Sequence, residues 1–159
     1  MPENVKGVPP DSSRIIPRLV CRDPAAEIDF CTNALGALEL GRRPGPDESV
    51  AHALLQIGPA MVMIEAEWPS LPSRAPALDG SSPVVIFVYV ENVDAIVSRC
   101  MDHGARVLIP AENQFWGDRT AWICDPAGHV WTLATRIEDT TETQRQQRWD
   151  SMISNQRGA

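Results

Sequence analysis

Among the side chains of this 159-residue sequence that can do acid–base or metal chemistry, only three are histidines: His52, His103 and His129. His52 has the most useful company. It lies in an alternating apolar run ending at Ile57, and Glu65 and Glu67 close the next such run, which begins at Met61. Brought together across neighbouring strands, an imidazole and a carboxylate beside Met61 and Met63 would form a partly desolvated acid–base couple. The same side chains would begin a site for a divalent ion. The plainer reading is a lining imidazole bonded to backbone or to a carboxylate, with Glu65 and Glu67 at an exposed strand end. His129 belongs to the turn Asp125-Pro126-Ala127-Gly128 and reads as structural, while His103, just before Gly104, suits a helix C-terminus. Cys21, Cys31, Cys100 and Cys124 are scattered with no C-x-x-C pair, so they read as reduced, buried thiols rather than a zinc site or disulfide framework.

A second chemically distinctive patch is Gln114-Phe115-Trp116-Gly117-Asp118-Arg119. Its glycine permits a sharp turn, and two rings with an Asp–Arg pair would make either a rim over a binding cavity or a loop stabilised by its own charges. Trp122 follows on the next strand-like run, either as a flat stacking surface or as ordinary core.

Positioning these groups requires regular elements, and the chain spells the same set twice. The run from Arg14 to Cys21 meets Arg22-Asp23-Pro24, and an amphipathic stretch carrying Ala26, Ile28, Phe30, Cys31 and Leu35 then stops at Gly36. The run from Val84 to Val90 meets Glu91-Asn92-Val93-Asp94, and a stretch carrying Val93, Ile96, Val97, Cys100 and Met101 stops at Gly104. Gly58 and Gly128 fall at the same distance after Val20 and Val90, each just before a final apolar run. Each half reads β-α-β-β-β, with strands predicted over 49–57, 61–67, 106–109, 120–124 and 130–135. The first module is expected over 14–67, a Pro/Ser-rich linker over 68–83, the second module over 84–137 and a C-terminal helix over 139–153, all within a single domain. The fold class is α+β.

Composition narrows the partners. Fourteen Lys and Arg against 21 Asp and Glu leave a net charge of −7, which repels phosphate backbones and anionic membrane surfaces. No stretch is apolar enough for a membrane-spanning helix and the N-terminus lacks an export signal, so a cytoplasmic location is expected. With 43% hydrophobic and 22% charged residues, a packed globular core is expected rather than disorder.

The doubled unit resembles the vicinal oxygen chelate superfamily, which includes glyoxalase I, extradiol dioxygenases, fosfomycin-resistance enzymes and bleomycin-binding proteins. The stretches from Leu19 to Phe30, Leu35-Gly36-Ala37, Phe115 to Arg119 and Asp125 to Trp131 are similar to its PhnB-like glyoxalase/bleomycin-resistance branch. That resemblance implies two modules forming a curved mixed sheet around a cavity, with helices on the outer face. It also implies a homodimer. By strand alternation Ala51, Ala53, Leu55 and Ile57 then face the helix, and His52, Leu54 and Gln56 face inward. The family's metal ligands would fall at Ile16, Val85 and Thr132, none of them a usual ligand, with Glu65 or Glu67 as the remaining carboxylate. The expectation is therefore no cofactor and no metal at the usual site, with a divalent ion at a displaced site left as the alternative. The resulting reading is a binder of a small apolar or aromatic molecule, as in antibiotic or toxin sequestration. Its contacts would be Arg18, Gln56, Met61, Met63, Phe87, Tyr89, Trp116 and Trp122. Should the chain instead be a lyase, isomerase or dioxygenase, His52 and Glu65 would carry the chemistry.

Overall fold

The computed structural model describes residues 6–157, and they divide into two compact units. One comprises the chain through Asp79 together with Pro126–His129; the other comprises Gly80–Asp125 and the chain from Val130 onward.

In the first unit the order is β1 (Arg18–Cys21), α1 (Pro24–Leu35), β2 (Leu38–Pro44), β3 (Val50–Ile57) and β4 (Ala60–Ala66). The sheet order is β1-β4-β3-β2, with β1 parallel to β4 and the other pairs antiparallel. Asp23 caps α1 by accepting a hydrogen bond from Ala26 N at 3.1 Å, Pro24 supplies a preset first-turn φ, and Gly36 ends the helix in the left-handed region at φ 71°. Ile28, Phe30, Cys31 and Ala34 on α1 are buried, as are Ala51, Ala53, Leu55, Val62 and Ile64 on the sheet. The residues between them on β3 and β4, His52, Leu54, Gln56, Met61, Met63 and Glu65, are only half-buried, so the period-two pattern separates a helix-covered face from a helix-free one. Sequence alternation had not delimited β2. Its residues Leu-Glu-Leu-Gly-Arg-Arg-Pro are mostly exposed because it is an edge strand, where little burial is available to impose a pattern.

The second unit repeats the plan with β5 (Val85–Tyr89), α2 (Val93–Asp102), β6 (Arg106–Asn113), β7 (Asp118–Cys124) and β8 (Val130–Arg136) in the order β5-β8-β7-β6. Asn92 takes the capping role, accepting from Ala95 N at 3.0 Å. Ala121, Ile123, Trp131 and Leu133 are buried on the helix-covered face, and Trp131 Nε1 donates to the buried Asp125 at 2.7 Å. Val85, Phe87, Tyr89, Asp118, Trp122, Thr132 and Arg136 alternate onto the other face. β6 runs four residues beyond its expected end, through Asn113, because two register irregularities let it follow β7 past Pro110.

The C-terminal helix α3 spans Glu142–Arg157, so it starts three residues later and ends four later than expected. Thr141 and Gln144 form a reciprocal capping box, with Gln144 N donating to Thr141 Oγ1 at 3.2 Å and Thr141 N to Gln144 Oε1 at 2.8 Å. With few apolar residues, α3 is tied down by Arg148, which reaches Glu138 at 2.6 and 2.8 Å and the Phe115 carbonyl at 3.1 Å. Among the described residues, no helix is long and apolar enough to cross a membrane.

Candidate functional site

The antiparallel pairing of β3 and β4 makes His52 and Glu65 direct cross-strand partners, and the parallel pairing of β1 sets Arg18 opposite Met63 on the same face. His52 Nδ1 lies 3.3 Å from Glu65 Oε2, and Arg18 Nε lies 3.3 Å from that same oxygen. Glu65 is the sunken member, with 15% of its side chain exposed against 32% for His52 and 53% for Arg18. Guanidinium and imidazole thus converge on a single oxygen of the carboxylate. The carboxylate in turn favours the tautomer with the proton on Nδ1, which leaves Nε2 of His52 as an acceptor. Half-buried Leu54 and Met63, paired across the same strands, flank the cluster with apolar surface. The arrangement can take up a proton at Nε2, or orient a polar group on a molecule whose body rests on the neighbouring side chains.

Not every expected contributor joins it. Gln56 turns its Nε2 to the Gly58 carbonyl at 2.9 Å, and with its partner Met61 it sits about 13 Å along the strand from His52. Glu67 accepts from Ala75 N at 2.7 Å and so pins the Pro/Ser-rich segment, leaving Glu65 as the carboxylate beside His52. His129 Nε2 is 3.0 Å from the Val20 carbonyl and 3.7 Å from Cys21 Sγ, a packed position inside the first unit. His103 forms the C-terminal cap of α2. All four cysteines are buried, and burial pushes the Cys100 thiol up to about 11.

The second unit gathers a different group. Asp118, 3% exposed, accepts on its Oδ2 from Tyr89 Oη at 2.9 Å and from Trp116 Nε1 at 2.8 Å. The pairing of Asp118 with Arg119 expected from their adjacency does not form. Successive strand residues point to opposite faces, so Arg119 reaches α2 and binds Asp94 through two 2.9 Å hydrogen bonds. That guanidinium holds the Asp94 carboxyl below its ordinary range. The bond to Asp118, with some burial, holds the Tyr89 phenol above its ordinary value. Phe87 meets Tyr89 edge-on at 5.3 Å, and Trp122 stands opposite Thr132 on the same face. Sequence reading takes Asp118 as half of an Asp–Arg pair in the 114–119 patch, and not as the partner of Tyr89 and Trp116. The signal that could have found it is the strand parity it shares with Trp122, which places it on the sheet face away from α2.

A divalent ion of the sort the resembled metal enzymes hold is poorly served by these residues. Ile16 precedes β1 with an aliphatic side chain, Val85 offers no donor atom, and Thr132 offers one neutral hydroxyl on a strand where it faces Phe87 and Trp122. Among the described residues, no three His, Cys, Asp or Glu side chains converge as a metal cage.

Comparisons with known proteins agree with the doubled architecture. Residues 15–133 match the model of the Glyoxalase/Bleomycin resistance protein/Dioxygenase superfamily. An uncharacterized protein of Mycobacterium bovis is 40% identical over 126 residues, covering 77% of this chain and 83% of that one, and one from Mycobacterium tuberculosis is equally similar, with 74% of it covered. Among solved structures, TioX from Micromonospora sp. ML1 superposes with a TM-score of 0.62 at 25% identity, over 79% of this chain and all of that one. A PhnB protein from Bacillus cereus has the same fold, with a TM-score of 0.61 at 16% identity over 77% of this chain and 99% of its own. With the family model spanning both modules and the sheet orders repeated in each, the chain belongs to the glyoxalase/bleomycin resistance protein/dioxygenase superfamily.

Proposed function

We propose that this protein binds a small, largely apolar or aromatic molecule bearing one polar group, in the manner of a sequestering or self-protection protein. The observation that carries the reading is the Arg18–Glu65–His52 cluster on the helix-free face of the first sheet. Glu65 uses one oxygen to hold both partners, so Arg18 keeps further N–H donors and His52 keeps Nε2 as an acceptor. A hydroxyl or carbonyl on the ligand is then oriented by donors and acceptor together, while Leu54 and Met63 cover its apolar body. Phe87 and Trp122 offer comparable apolar surface on the second sheet. Native mass spectrometry of untagged protein, followed by titration with naphthol and with naphthalene, tests this. Saturable binding of naphthol that weakens about tenfold in Arg18→Ala or His52→Ala, with naphthalene weaker still, is the expected result. No saturable binding of either probe and no retained molecule would contradict it.

A second reading is favoured by the direct His52–Glu65 contact, which is the geometry of an oriented general base. In that case the ligand is a substrate of a lyase, isomerase or dioxygenase, and His52→Ala abolishes product while binding persists. A version with a displaced metal predicts stoichiometric Mn, Ni, Zn or Fe in untagged protein, lost in His52→Ala or Glu65→Ala.

A further inference from the structure

The second unit contains a recess of about 240 Å³ whose walls are Tyr89, Trp116, Asp118, Arg136, Thr140 and Arg145. It uses no residue of the Arg18–Glu65–His52 cluster. Three strands, the turn before β7 and the chain beyond β8 build it. β5 supplies Tyr89, β7 and β8 supply Asp118 and Arg136 as direct cross-strand partners, and the chain beyond β8 brings Thr140 and Arg145. The tight turn before β7 delivers Trp116, and only glycine allows it. Gly117 sits at φ 101°, and a Cβ there would lie 2.7 Å from the Glu138 carbonyl oxygen.

The charges in the recess restrict what can enter. Asp118 is buried and has two hydrogen bonds on Oδ2, of the roughly four that a carboxylate can accept. Arg136 faces it across the strand pair and spends one nitrogen on Asp139, keeping other N–H donors. Arg145 is occupied, by Glu142 at 2.7 and 3.1 Å and by the Thr140 carbonyl at 2.6 Å. One buried acid thus stands opposite one available base. An anionic ligand would meet Asp118 and a cationic one Arg136, so each pays a like-charge penalty. A neutral group with a donor beside an acceptor satisfies both.

The remaining walls are flat. The indole of Trp116 and the phenol of Tyr89 are each fixed by a hydrogen bond to the same carboxylate oxygen, so they lose little freedom when a ring packs against them. Because the Tyr89 proton is directed at Asp118, its oxygen lone pairs remain acceptors. The volume is sufficient for a bicyclic ring system.

From this geometry we infer that the recess is a second ligand site, one that takes a planar, neutral heteroaromatic with adjacent N–H and C=O groups, its N–H toward Asp118 and its C=O toward Arg136. Carbostyril is a suitable probe, with N-methylcarbostyril lacking the donor and quinoline lacking the carbonyl. Isothermal titration should show one carbostyril per chain, with affinity falling about tenfold on N-methylation or in quinoline. Asp118→Asn and Arg136→Gln should each weaken carbostyril by about tenfold or more, and His52→Ala should leave it unchanged. Arg136 is largely exposed, so its variant reports on the site even if Asp118→Asn unfolds, which thermal melts would reveal. Equal affinity for carbostyril and its N-methyl derivative, absence of saturable carbostyril binding, or loss of binding in His52→Ala would each overturn the assignment. Naphthol binding without carbostyril binding would overturn this site alone and leave the first-module reading standing.

Discussion

Asp118 shows how much one buried carboxylate can organise. By accepting from both Tyr89 and Trp116 it fixes two aromatic side chains on different elements, and the neutral phenol is stabilised because only the protonated form can donate. Tyr89 is the single tyrosine in the chain, so phenolate absorbance during an alkaline titration reads this group alone. Its folded-state value is raised, so the stability it contributes is present below the ordinary tyrosine range and is lost as pH rises through the higher folded value. The expected outcome is ionisation later than in the unfolded chain, moving back toward the ordinary value in Tyr89's environment when Asp118→Asn weakens the bond. Titration of the folded protein at the unfolded value would contradict the hydrogen bond. Glu65 plays the equivalent part in the first unit. Glu65→Gln should keep the packing but release Arg18 and His52, weakening naphthol binding about tenfold by the same titration.

At the scale of elements, what the sequence disclosed follows how strongly burial imposes a pattern. The stripe of Ile28, Phe30, Cys31 and Leu35, the opening residue Asp23 and the terminator Gly36 left a clear record because a covered face and an unsatisfied helix end admit few residue types. The alternation through His52 and Glu65 is equally readable, and it sets both on one face of the sheet. β2 was not, since an edge strand with Gly41, Arg42 and Arg43 has no face to hide. Nor was the partner of Asp118, because a neighbour in sequence is across the pleat in space. Two predictions belong here. Gly117→Ala should cost about 1–3 kcal/mol in denaturant melts, given its left-handed backbone and the close Glu138 carbonyl. The anchor of α3 should fail in acid. Arg148 holds the Glu138 carboxyl below its ordinary value, so the anchoring is complete above the ordinary glutamate range and is lost as pH falls through the lower folded value. Emission from Trp149, which packs against Phe115 at 5.4 Å, should report the release while far-ultraviolet dichroism of the sheets persists.

For the whole molecule, each unit stands on a core between one helix and four strands, and a Leu55→Ala or Ile64→Ala substitution in the first should cost about 2–5 kcal/mol in a denaturant melt because both side chains are fully buried. The family resemblance leads us to expect a homodimer, which sedimentation equilibrium would read as twice the chain mass. From the net charge of −7 we expect duplex DNA to run unshifted beside the protein in an electrophoretic mobility assay, even at low salt. Within this superfamily a common scaffold serves binders and enzymes alike, so function here rests on the sites and not on the fold. The scarcity of histidine acquires its meaning at this scale: one of three is a cap, one is packed against Val20, and His52 alone stands on a helix-free face beside a carboxylate. The most direct measurement is calorimetric titration of the untagged protein with naphthol, alongside Arg18→Ala and His52→Ala. Saturable binding weakened about tenfold in both variants is the predicted result, and binding that ignores both substitutions, or none at all, would contradict it.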